Sequence, residues 1–383
     1  MTIVHLGPSV LPISYPFGGA IQRRMLEMAK AQSARGENVI IYSADSESGQ
    51  TNFHGVEIRS IACRHMMPFR DFEYMKKALR ELRRESVDVL HFHNLPEGAA
   101  YSMAIRAKKF LSFDYFIFRR GKRTPLFWWY RSAVRQFSSL LPVSQYCLQG
   151  CKSYWGWDGV PMRVIHNGVN LEQFSPDPAS GLARKRSLGI EKARTILYVG
   201  RVCQQKGTDL VIEAFQRLRR KFPNVCLVVA GPAEQFGNRG QTNLTRRISE
   251  VGGIYLGPVE ERDLAAIYNL CDIFVMPSRS IEMFGMAALE AQACGKPVVC
   301  SQHGGLPEVI SPESGMFFPV GNADALAGCL SDLIQNADLY RSKAEAARPN
   351  ALRFGWSRII DDLETTYRGC CKPQNSSALL SET

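Results

Sequence analysis

The sequence predicts an α/β protein of two domains, each a doubly wound parallel sheet, with the two sheets facing across a cleft. The chain has 383 residues, more than one ordinary hydrophobic core holds. Short apolar runs that end in glycine or proline alternate with stretches of helical periodicity. Because this alternation occurs in both halves without a residue-level repeat, we expect two separate parallel sheets.

The first half opens with the apolar run 2–6, which predicts a buried strand. Gly18 and Gly19 then precede a stretch of helical spacing. A glycine pair before a helix suits a phosphate group, but it is also a common turn. Further strands are predicted at 38–43, 55–61, 87–93, 114–118 and 139–143, and helices at 71–85, 96–110 and 144–154.

The strand predicted at 87–93 carries His91 and His93 at its end. Alternate residues of a strand share a face, so both histidines point to the same side. Such a pair is either a structural, hydrogen-bonded feature of the strand end or part of a site. The residues alone leave both interpretations open.

The second half begins after a linker predicted at 175–190, where prolines and a glycine accompany a basic run. We therefore predict domains at 1–174 and 191–355. Strands are predicted at 194–200, 225–230, 272–276 and 315–320, and helices at 322–335 and 339–353. Residues 371–383 are polar and predicted to be disordered.

Two carboxylates, Glu282 and Glu290, are eight positions apart, and the Ala/Leu-rich run between them predicts a helix that begins near Phe284. Eight helical residues rise about 12 Å, which matches the separation of the sugar and the ribose in a nucleotide-sugar. Backbone N–H groups at the helix start would face the phosphates, and Gly285 would allow their close approach. Together with Met286, these residues predict a donor site.

A second motif, from Gly200 to Gly207, places Arg201 and Lys206 at a strand-to-helix turn. An arginine fork and a lysine point charge at this spacing are able to bind one diphosphate, although a merely exposed basic pair is the alternative. The sequence contains neither a Walker loop nor Gly-x-Gly-x-x-Gly. Nucleotide hydrolysis and nicotinamide chemistry are therefore disfavoured.

Taken together, the Glu-x7-Glu pattern, the Gly-Lys-Pro-Val-Val run from Gly295 and the Gly-Gly-x-x-Glu string that ends at Glu308 resemble retaining GT-B glycosyltransferases of family 4, or group 1. The segment 164–170 also resembles that family, with His166 where proline is usual. The resemblance reaches about residue 368. It implies two Rossmann-like domains, with a final helix at 356–370 that returns to the first.

The resemblance implies specific roles for residues of this chain. Glu282 would bind the sugar, Glu290 the ribose, and Glu308 is a weaker addition. The donor residues implied are Gly18, Gly19, Arg201, Lys206, Val259, Glu282, Phe284, Gly285, Met286 and Glu290. The catalytic set implied is Glu282, His93, Arg201 and Lys206. Arg119 and Arg120 stand where the family often has His-Gly, which points to an anionic acceptor.

The implied reaction moves a hexose, with retention of configuration, from a nucleoside-diphosphate sugar to a hydroxyl of a glycan or lipid-linked acceptor in cell-envelope or exopolysaccharide synthesis. UDP-glucose is the expected donor because UDP-hexoses are common. The sequence lacks Asp-x-Asp, so we expect a metal-independent enzyme without a cofactor. The alternatives are a non-catalytic nucleotide- or carbohydrate-binding module, a sugar phosphorylase and a nucleotide-sugar epimerase.

The composition bears on whether the protein binds a membrane or a nucleic acid. The net charge is +11, and the segment 104–136 mixes nine basic residues with nine aromatic ones. This basic-aromatic segment suits an anionic membrane surface, and a solvated charged face is the alternative. Nucleic acid is disfavoured because no nucleic-acid motif accompanies the charge.

The expected location is cytoplasmic, with peripheral contact to the inner face of the membrane. No apolar run reaches the roughly 18 residues that span a bilayer, and no basic region precedes the apolar residues at the start. The eleven cysteines lie mostly in apolar segments without Cys-x2-Cys spacing, which favours reduced core residues over disulfides or zinc ligands.

Overall fold

The computed structural model describes residues 1–9, 13, 20–64, 69–114, 125–155, 159–233 and 241–369. The chain forms two compact units. The first unit comprises Met1–Gly168 together with the C-terminal segment from Trp356, and the second comprises Val169–Gly355. Among the described helices, none is both long enough and apolar enough to span a bilayer.

The first unit contains a seven-stranded sheet. Its strands are β1 (Thr2–Leu6), β2 (Asn38–Asp45), β3 (Gly49–Phe53), β4 (Val56–Ala62), β5 (Val89–His93), β6 (Lys108–Phe113) and β7 (Ser139–Pro142). Its helices up to residue 155 are α1 (Ala20–Ser33), α2 (Phe69–Leu82), α3 (Gly98–Tyr101), α4 (Pro125–Val134) and α5 (Gln145–Trp155). The strand order is β3-β4-β2-β1-β5-β6-β7, and only β3 runs antiparallel to its neighbour.

The second unit contains a six-stranded parallel sheet in the order β10-β9-β8-β11-β12-β13. Its strands are β8 (Arg194–Val199), β9 (Val225–Ala230), β10 (Ile254–Gly257), β11 (Ile273–Met276), β12 (Val298–Ser301) and β13 (Gly315–Phe318). Its helices are α6 (Pro178–Ser187), α7 (Thr208–Lys221), α8 (Gln241–Glu250), α9 (Glu261–Leu270), α10 (Met286–Ala293), α11 (Leu306–Val309), α12 (Ala323–Gln335) and α13 (Ala337–Leu352). A 3-10 turn, Gln204–Lys206, precedes α7.

The last helix, α14 (Trp356–Arg368), belongs to the first unit, as the sequence predicts. Its apolar face packs on the central strands, where Ile360 joins Ile3 of β1 and Val89 of β5 in one buried cluster. Trp356 lies so close to Gly168 that an added Cβ at Gly168 would overlap the indole ring. Burial of this amphipathic face explains why the C-terminal helix returns to the first sheet.

The predicted fold class is confirmed: both units are doubly wound α/β folds built on mainly parallel sheets. One predicted element is wrong: the helix expected at 96–110 is reduced to α3, and β6, which was not predicted, follows it. The strand expected at 114–118 lies, apart from Asp114, outside the described residues. The run 110–113 is buried as a parallel strand, but the exposed Lys108 at its start hid this pattern in the sequence.

The domain boundary also differs from the prediction. The first unit ends at Gly168 rather than at residue 174, because Val169 donates its N–H to the Phe354 carbonyl over 2.8 Å and Arg348 holds the Leu171 carbonyl. The predicted linker at 175–190 contains α6, which Asp177 caps. Pro178 fits the first turn of a helix, where no intrahelical N–H bond is needed.

Candidate functional site

The candidate site of the second unit lies where its strand order reverses. Strands β8 and β11 are neighbours, with Ile196 opposite Ile273 and Leu197 opposite Phe274. The chain winds outward from β8 in one direction and from β11 in the other. Ligands of open α/β sheets bind at such a switch point, beyond the carboxyl ends of the strands. The loops that follow β8 and β11 carry Lys206 and Glu282.

The structure brings Lys206 and Glu282 together although 76 positions separate them in the sequence. The Lys206 ammonium donates to Glu282 Oε1 over 2.5 Å, and the Ser278 hydroxyl donates to the same oxygen over 2.6 Å. Both charged side chains are half-buried, which strengthens their attraction relative to a fully solvated pair. This ion pair places one cation and one carboxylate at the switch point.

Backbone hydrogen bonds tie the two loops to each other. The N–H groups of Arg279 and Ser280 both donate to the Gln205 carbonyl, each over 3.0 Å. The Arg279 guanidinium also donates to Asp209 over 2.6 Å. These contacts fix the loop that carries Lys206 against the loop that carries Glu282, so the pair is held before any ligand binds.

Gly207 is required for this close approach. Its φ is +74°, in the left-handed region, and it forms the N-cap of α7. A Cβ added here would overlap the carbonyl oxygen of Pro277, which belongs to the second loop. Only glycine satisfies both the backbone conformation and the space between the loops.

The helix start predicted at Phe284 lies at Met286 instead. Gly285 is the N-cap with φ +99°, a conformation that ends helical geometry on its N-terminal side, and no side chain caps the helix. Phe284 is buried and packs edge-on against Phe354, at 5.7 Å between ring centroids. The backbone amides of Phe284, Gly285 and Met286 were predicted to face a phosphate. Of these, the Met286 amide lies in the first turn of α10, Gly285 is the N-cap, and Phe284 precedes the helix.

Two glycines of the predicted motif, Gly304 and Gly305, contact the loop that carries Glu282. The Gly305 N–H donates to the Glu282 carbonyl over 2.8 Å, and a Cβ at Gly304 would overlap that same carbonyl oxygen. The Gly-Gly pair of the motif thus holds the backbone of the Glu282 loop. Glu308 lies in α11, which follows directly.

Glu290 is buried in α10, and its Oε2 accepts a hydrogen bond from the Tyr268 hydroxyl over 2.7 Å. Tyr268 is itself fully buried in α9. This bond fixes the direction of the carboxylate. Val259 is half-buried between β10 and α9. Their predicted contacts with the ribose and the base stay predictions.

Arg201 lies two residues after the end of β8, and its side chain lies on the surface. Its carbonyl accepts a hydrogen bond from the Tyr198 hydroxyl over 2.7 Å. Burial raises the pKa of Tyr198, so this hydroxyl remains a donor at neutral pH. The backbone at Arg201 is therefore anchored while its guanidinium stays accessible.

In the first unit, His93 belongs to a fully buried histidine cluster with His5 and His91. His5 Nδ1 lies 3.0 Å from His93 Nε2, and His5 Nε2 lies 2.7 Å from Gln32 Oε1. A consistent assignment has neutral His5 donating from Nε2 to Gln32 and accepting at Nδ1 from His93. The predicted contact of His93 with sugar or acceptor stays a prediction.

The other members complete a polar network around His91. Its two ring nitrogens lie 2.6 Å from the Tyr367 hydroxyl and 2.7 Å from the Ser112 hydroxyl. Burial lowers the pKa of His5 to about 4 and lowers the pKa values of His91 and His93 well below the usual range. All three rings are therefore neutral at pH 7.

The ligating atoms of the three histidines lie within 4.8 Å of one another, close enough for a metal site, but the ring orientations do not suit one. The rings of His91 and His93 are stacked, with 4.2 Å between centroids and 19° between planes. Nitrogen lone pairs lie in the ring plane, so two nearly parallel rings do not direct them at one ion. The geometry favours a hydrogen-bonded network.

The sequence did not identify several residues that support these sites, namely His5, Gln32, Asp209, Tyr268, Ser278 and Arg279. Ser278 and Arg279 lie inside the motif, so proximity to Glu282 was an available signal. The other residues belong to elements that carry no motif, and they approach the site residues only in the folded chain. Four predicted residues, Gly18, Gly19, Arg119 and Arg120, lie outside the described residues.

Two family profiles match the chain. The profile "Glycosyltransferase Family 4" matches residues 17–173, and the profile "Glycosyl transferases group 1" matches residues 182–350. Together they cover both units apart from residues 1–16, residues 174–181 and the C-terminal segment from residue 351. The second match contains the Lys206 and Glu282 loops.

Among curated relatives, the D-inositol 3-phosphate glycosyltransferase of Saccharomonospora viridis is 32% identical over 236 residues, which cover 58% of this chain and 54% of that protein. The alignment thus spans about half the length of this relative. Spore coat protein SA of Bacillus subtilis is 22% identical over 393 residues, with 96% of this chain and 99% of that protein covered.

Solved structures share the fold over nearly the whole chain. Sucrose-phosphate synthase from Thermosynechococcus elongatus superposes with a TM-score of 0.78 at 18% identity, with 96% of this chain and 98% of that chain covered. Anabaena HepE in complex with UDP gives a TM-score of 0.77 at 19% identity, with 96% and 99% covered.

Proposed function

Because the chain belongs to the group 1 glycosyltransferases of family 4, we propose that it transfers a hexose from a nucleoside-diphosphate sugar to an acceptor hydroxyl. The observation that carries the proposal is the Lys206–Glu282 ion pair at the switch point of the second sheet. The two groups of a sugar-diphosphate match this ion pair: the diphosphate binds a cation, and the sugar hydroxyls donate hydrogen bonds to a carboxylate.

The reaction requires charge stabilisation at the departing diphosphate. The bond from the anomeric carbon to the diphosphate oxygen breaks, and the bond to the acceptor oxygen forms on the same face. The departing oxygen takes the acceptor proton. Lys206 and Arg201 would neutralise the developing charge, and the N–H groups at the start of α10 would add hydrogen bonds. Glu282 would hold the sugar and Glu290 the ribose.

This arrangement supplies cationic stabilisation from side chains, so we propose transfer without a divalent metal and without a cofactor. The hydrogen bonds between the two loops support it, because they hold Lys206 at the switch point of the sheet. UDP-glucose is the proposed donor. Anabaena HepE, which shares the fold, has been solved with UDP and with UDP-glucose.

The proposed acceptor is a glycan or a lipid-linked sugar in cell-envelope or exopolysaccharide synthesis, met at the inner face of the membrane. A phosphate on that acceptor suits the Arg119–Arg120 pair. The names of two similar proteins, D-inositol 3-phosphate glycosyltransferase and sucrose-phosphate synthase, also contain a phosphorylated polyol or sugar.

Titration calorimetry with UDP, GDP, ADP and dTDP in EDTA tests the donor site. We expect one nucleotide to bind without metal, and Lys206→Ala to weaken its binding by about tenfold or more, since a charge-assisted bond contributes roughly 1.5–3 kcal/mol. Lys192→Ala is the matched control, because Lys192 is exposed and precedes β8 at the opposite end of the strand.

Mass spectrometry of the products formed from the matching nucleotide-sugar then separates the enzyme classes. Transfer or slow hydrolysis supports a transferase. Release of a sugar phosphate would identify a phosphorylase, and an altered sugar on the nucleotide an epimerase. Absence of nucleotide binding, with and without magnesium, would overturn the proposal.

A further inference from the structure

The first unit exposes a group of large apolar side chains from three neighbouring helical elements. We call it the aromatic face and define it by five residues with these exposed fractions: Phe72 46%, Tyr101 38%, Met103 69%, Trp128 57% and Trp129 41%. They come from α2, from α3 and the turn after it, and from α4. The face is therefore assembled by the fold.

Ring contacts show that these side chains form one surface. The rings of Phe72 and Tyr101 are 5.5 Å apart between centroids, and those of Tyr101 and Trp129 are 6.2 Å apart. Elsewhere in the described chain, exposed large apolar residues such as Leu182 and Leu352 lie in different elements. A connected exposed apolar surface of this kind marks an interaction site more often than scattered single residues do.

Cations border the aromatic face. The Lys76 ammonium lies 5.9 Å from the Phe72 ring, and the Arg131 guanidinium lies 5.4 Å from the Trp128 ring. Residues four apart share a helix face, so exposed Arg80 extends the line from Phe72 and Lys76 along α2. Aromatic side chains beside a row of cations form an amphipathic surface.

The carboxylates near this surface do not cancel its charge. Glu73 is paired with Lys77 over 2.6 Å. Asp71 accepts the Ser9 N–H over 2.8 Å and keeps its negative charge, but Lys76, Arg80 and Arg131 outnumber it. Burial raises the pKa of Glu97 to about 7, so this group is only partly ionised at neutral pH. The exposed charge beside the aromatic rings is therefore positive.

We propose that the aromatic face docks on an anionic lipid bilayer, with its rings at the level of the headgroups and its cations on lipid phosphates. Tryptophan and tyrosine favour this interfacial position, and basic residues gain about 1 kcal/mol each near an anionic surface. The docking extends the proposed function, since it would bring a lipid-linked acceptor to the enzyme, but it needs no nucleotide.

Co-sedimentation of the full-length protein with vesicles tests the docking. We expect binding to vesicles of equimolar phosphatidylcholine and phosphatidylglycerol, weak binding to phosphatidylcholine alone, and release at high salt. Reversal of two charges by Lys76→Glu with Arg80→Glu should weaken binding by about tenfold or more. Trp128→Ser with Trp129→Ser should weaken it at every salt concentration at which the unaltered protein still binds, because this change removes apolar area.

The matched controls are Leu352→Ser and Arg262→Glu, which alter exposed residues of the second unit. They should bind vesicles like the unaltered protein. Donor binding, measured by calorimetry, should persist in all variants, which separates failure of docking from failure of the proposed function. Absence of vesicle binding, or binding that the tryptophan variant retains in full, would overturn the inference. A soluble protein partner for this face would give that result.

Discussion

At the residue scale, the central feature is that Lys206 and Glu282 form an ion pair with each other. A nucleotide-sugar would replace this ion pair by two separate contacts, one from the diphosphate to Lys206 and one from the sugar to Glu282. Ser278 would keep Glu282 in place during this exchange, because its hydroxyl donates to the same carboxylate oxygen. The roles proposed for the two residues, one in binding and one in transfer, are therefore separable by mutation.

The variant Glu282→Gln tests this separation. We expect nucleotide binding to be equal or tighter, because Lys206 no longer has a carboxylate that competes with the diphosphate. Transfer should fall by about 10²-fold or more, the size of effect seen when one electrostatic contact to a transition state is removed. Calorimetry measures the first quantity and the initial transfer rate measures the second. Equal losses of binding and rate would contradict the assignment.

Glu313→Gln is the matched control for this experiment. Glu313 is exposed and lies in the loop before β13, outside both motif loops. It should leave nucleotide affinity and rate unchanged. A fall in rate for both variants would point to a general effect of removing negative charge from the second unit.

At the element scale, the sequence predicts most accurately the helices and strands whose ends carry strong local signals. The strand before Arg201, the α10 segment and the returning helix α14 were all anticipated, because glycines, prolines and strong periodicity mark their ends. β3 was missed, since it is an antiparallel edge strand of mostly polar, exposed residues. α6 was taken for a linker, because helix starts and loops both attract proline and aspartate.

The site itself was predictable only in part. Lys206 and Glu282 were named from their motifs, but their ion pair depends on β8 and β11 being neighbours in the sheet. Asp209 and Tyr268 carry no motif of their own, and they orient Arg279 and Glu290 through contacts that only the fold creates. The local pattern identifies the groups, whereas their geometry comes from strand order.

The close approach of the two loops gives a prediction at this scale. Gly207→Ala should lower the free energy of unfolding by about 1–3 kcal/mol and weaken nucleotide binding, because the new Cβ would overlap the Pro277 carbonyl and separate the loops. Thermal unfolding and calorimetry measure the two effects.

Gly189→Ala is the matched control. Gly189 also has positive φ, at +68°, but nothing lies within 4 Å of its added Cβ. It shares the backbone strain and lacks the steric overlap, so it should cost less stability and leave nucleotide binding intact. Equal effects of the two variants would show that contact between the loops is not what Gly207 provides.

At the scale of the whole molecule, the two units carry different chemistry. The Lys206–Glu282 ion pair and the buried carboxylate Glu290 lie in the second unit. The first unit has a buried, neutral histidine network and the exposed aromatic face. Of the seven histidines in the sequence, only His303 lies in the second unit. The responses of the two units to pH should therefore differ.

The sign of the pH effect follows from the histidine cluster. Burial lowers the pKa of His5 from 6.5 to about 4; the hydrogen bond with Gln32 opposes this shift, and the neighbouring Arg24 charge contributes to it. Below pH 6.5 the unfolded chain therefore binds a proton that the folded chain does not, so stability falls as the pH decreases from 6.5 towards 4. His5 alone would account for a loss of about 3 kcal/mol over that range, at 1.36 kcal/mol per pKa unit.

We expect hydrogen exchange followed by mass spectrometry to show that acid exposes β1 and β5 before β8 and β11. The variant His5→Gln should reduce this acid sensitivity, because glutamine keeps a polar group beside Gln32 and has no proton to gain. His303→Gln in the second unit is the control and should leave the profile unchanged. Simultaneous exchange of both units, with the same pH dependence, would show that they unfold as one body and that the histidine network does not set the first unit's stability.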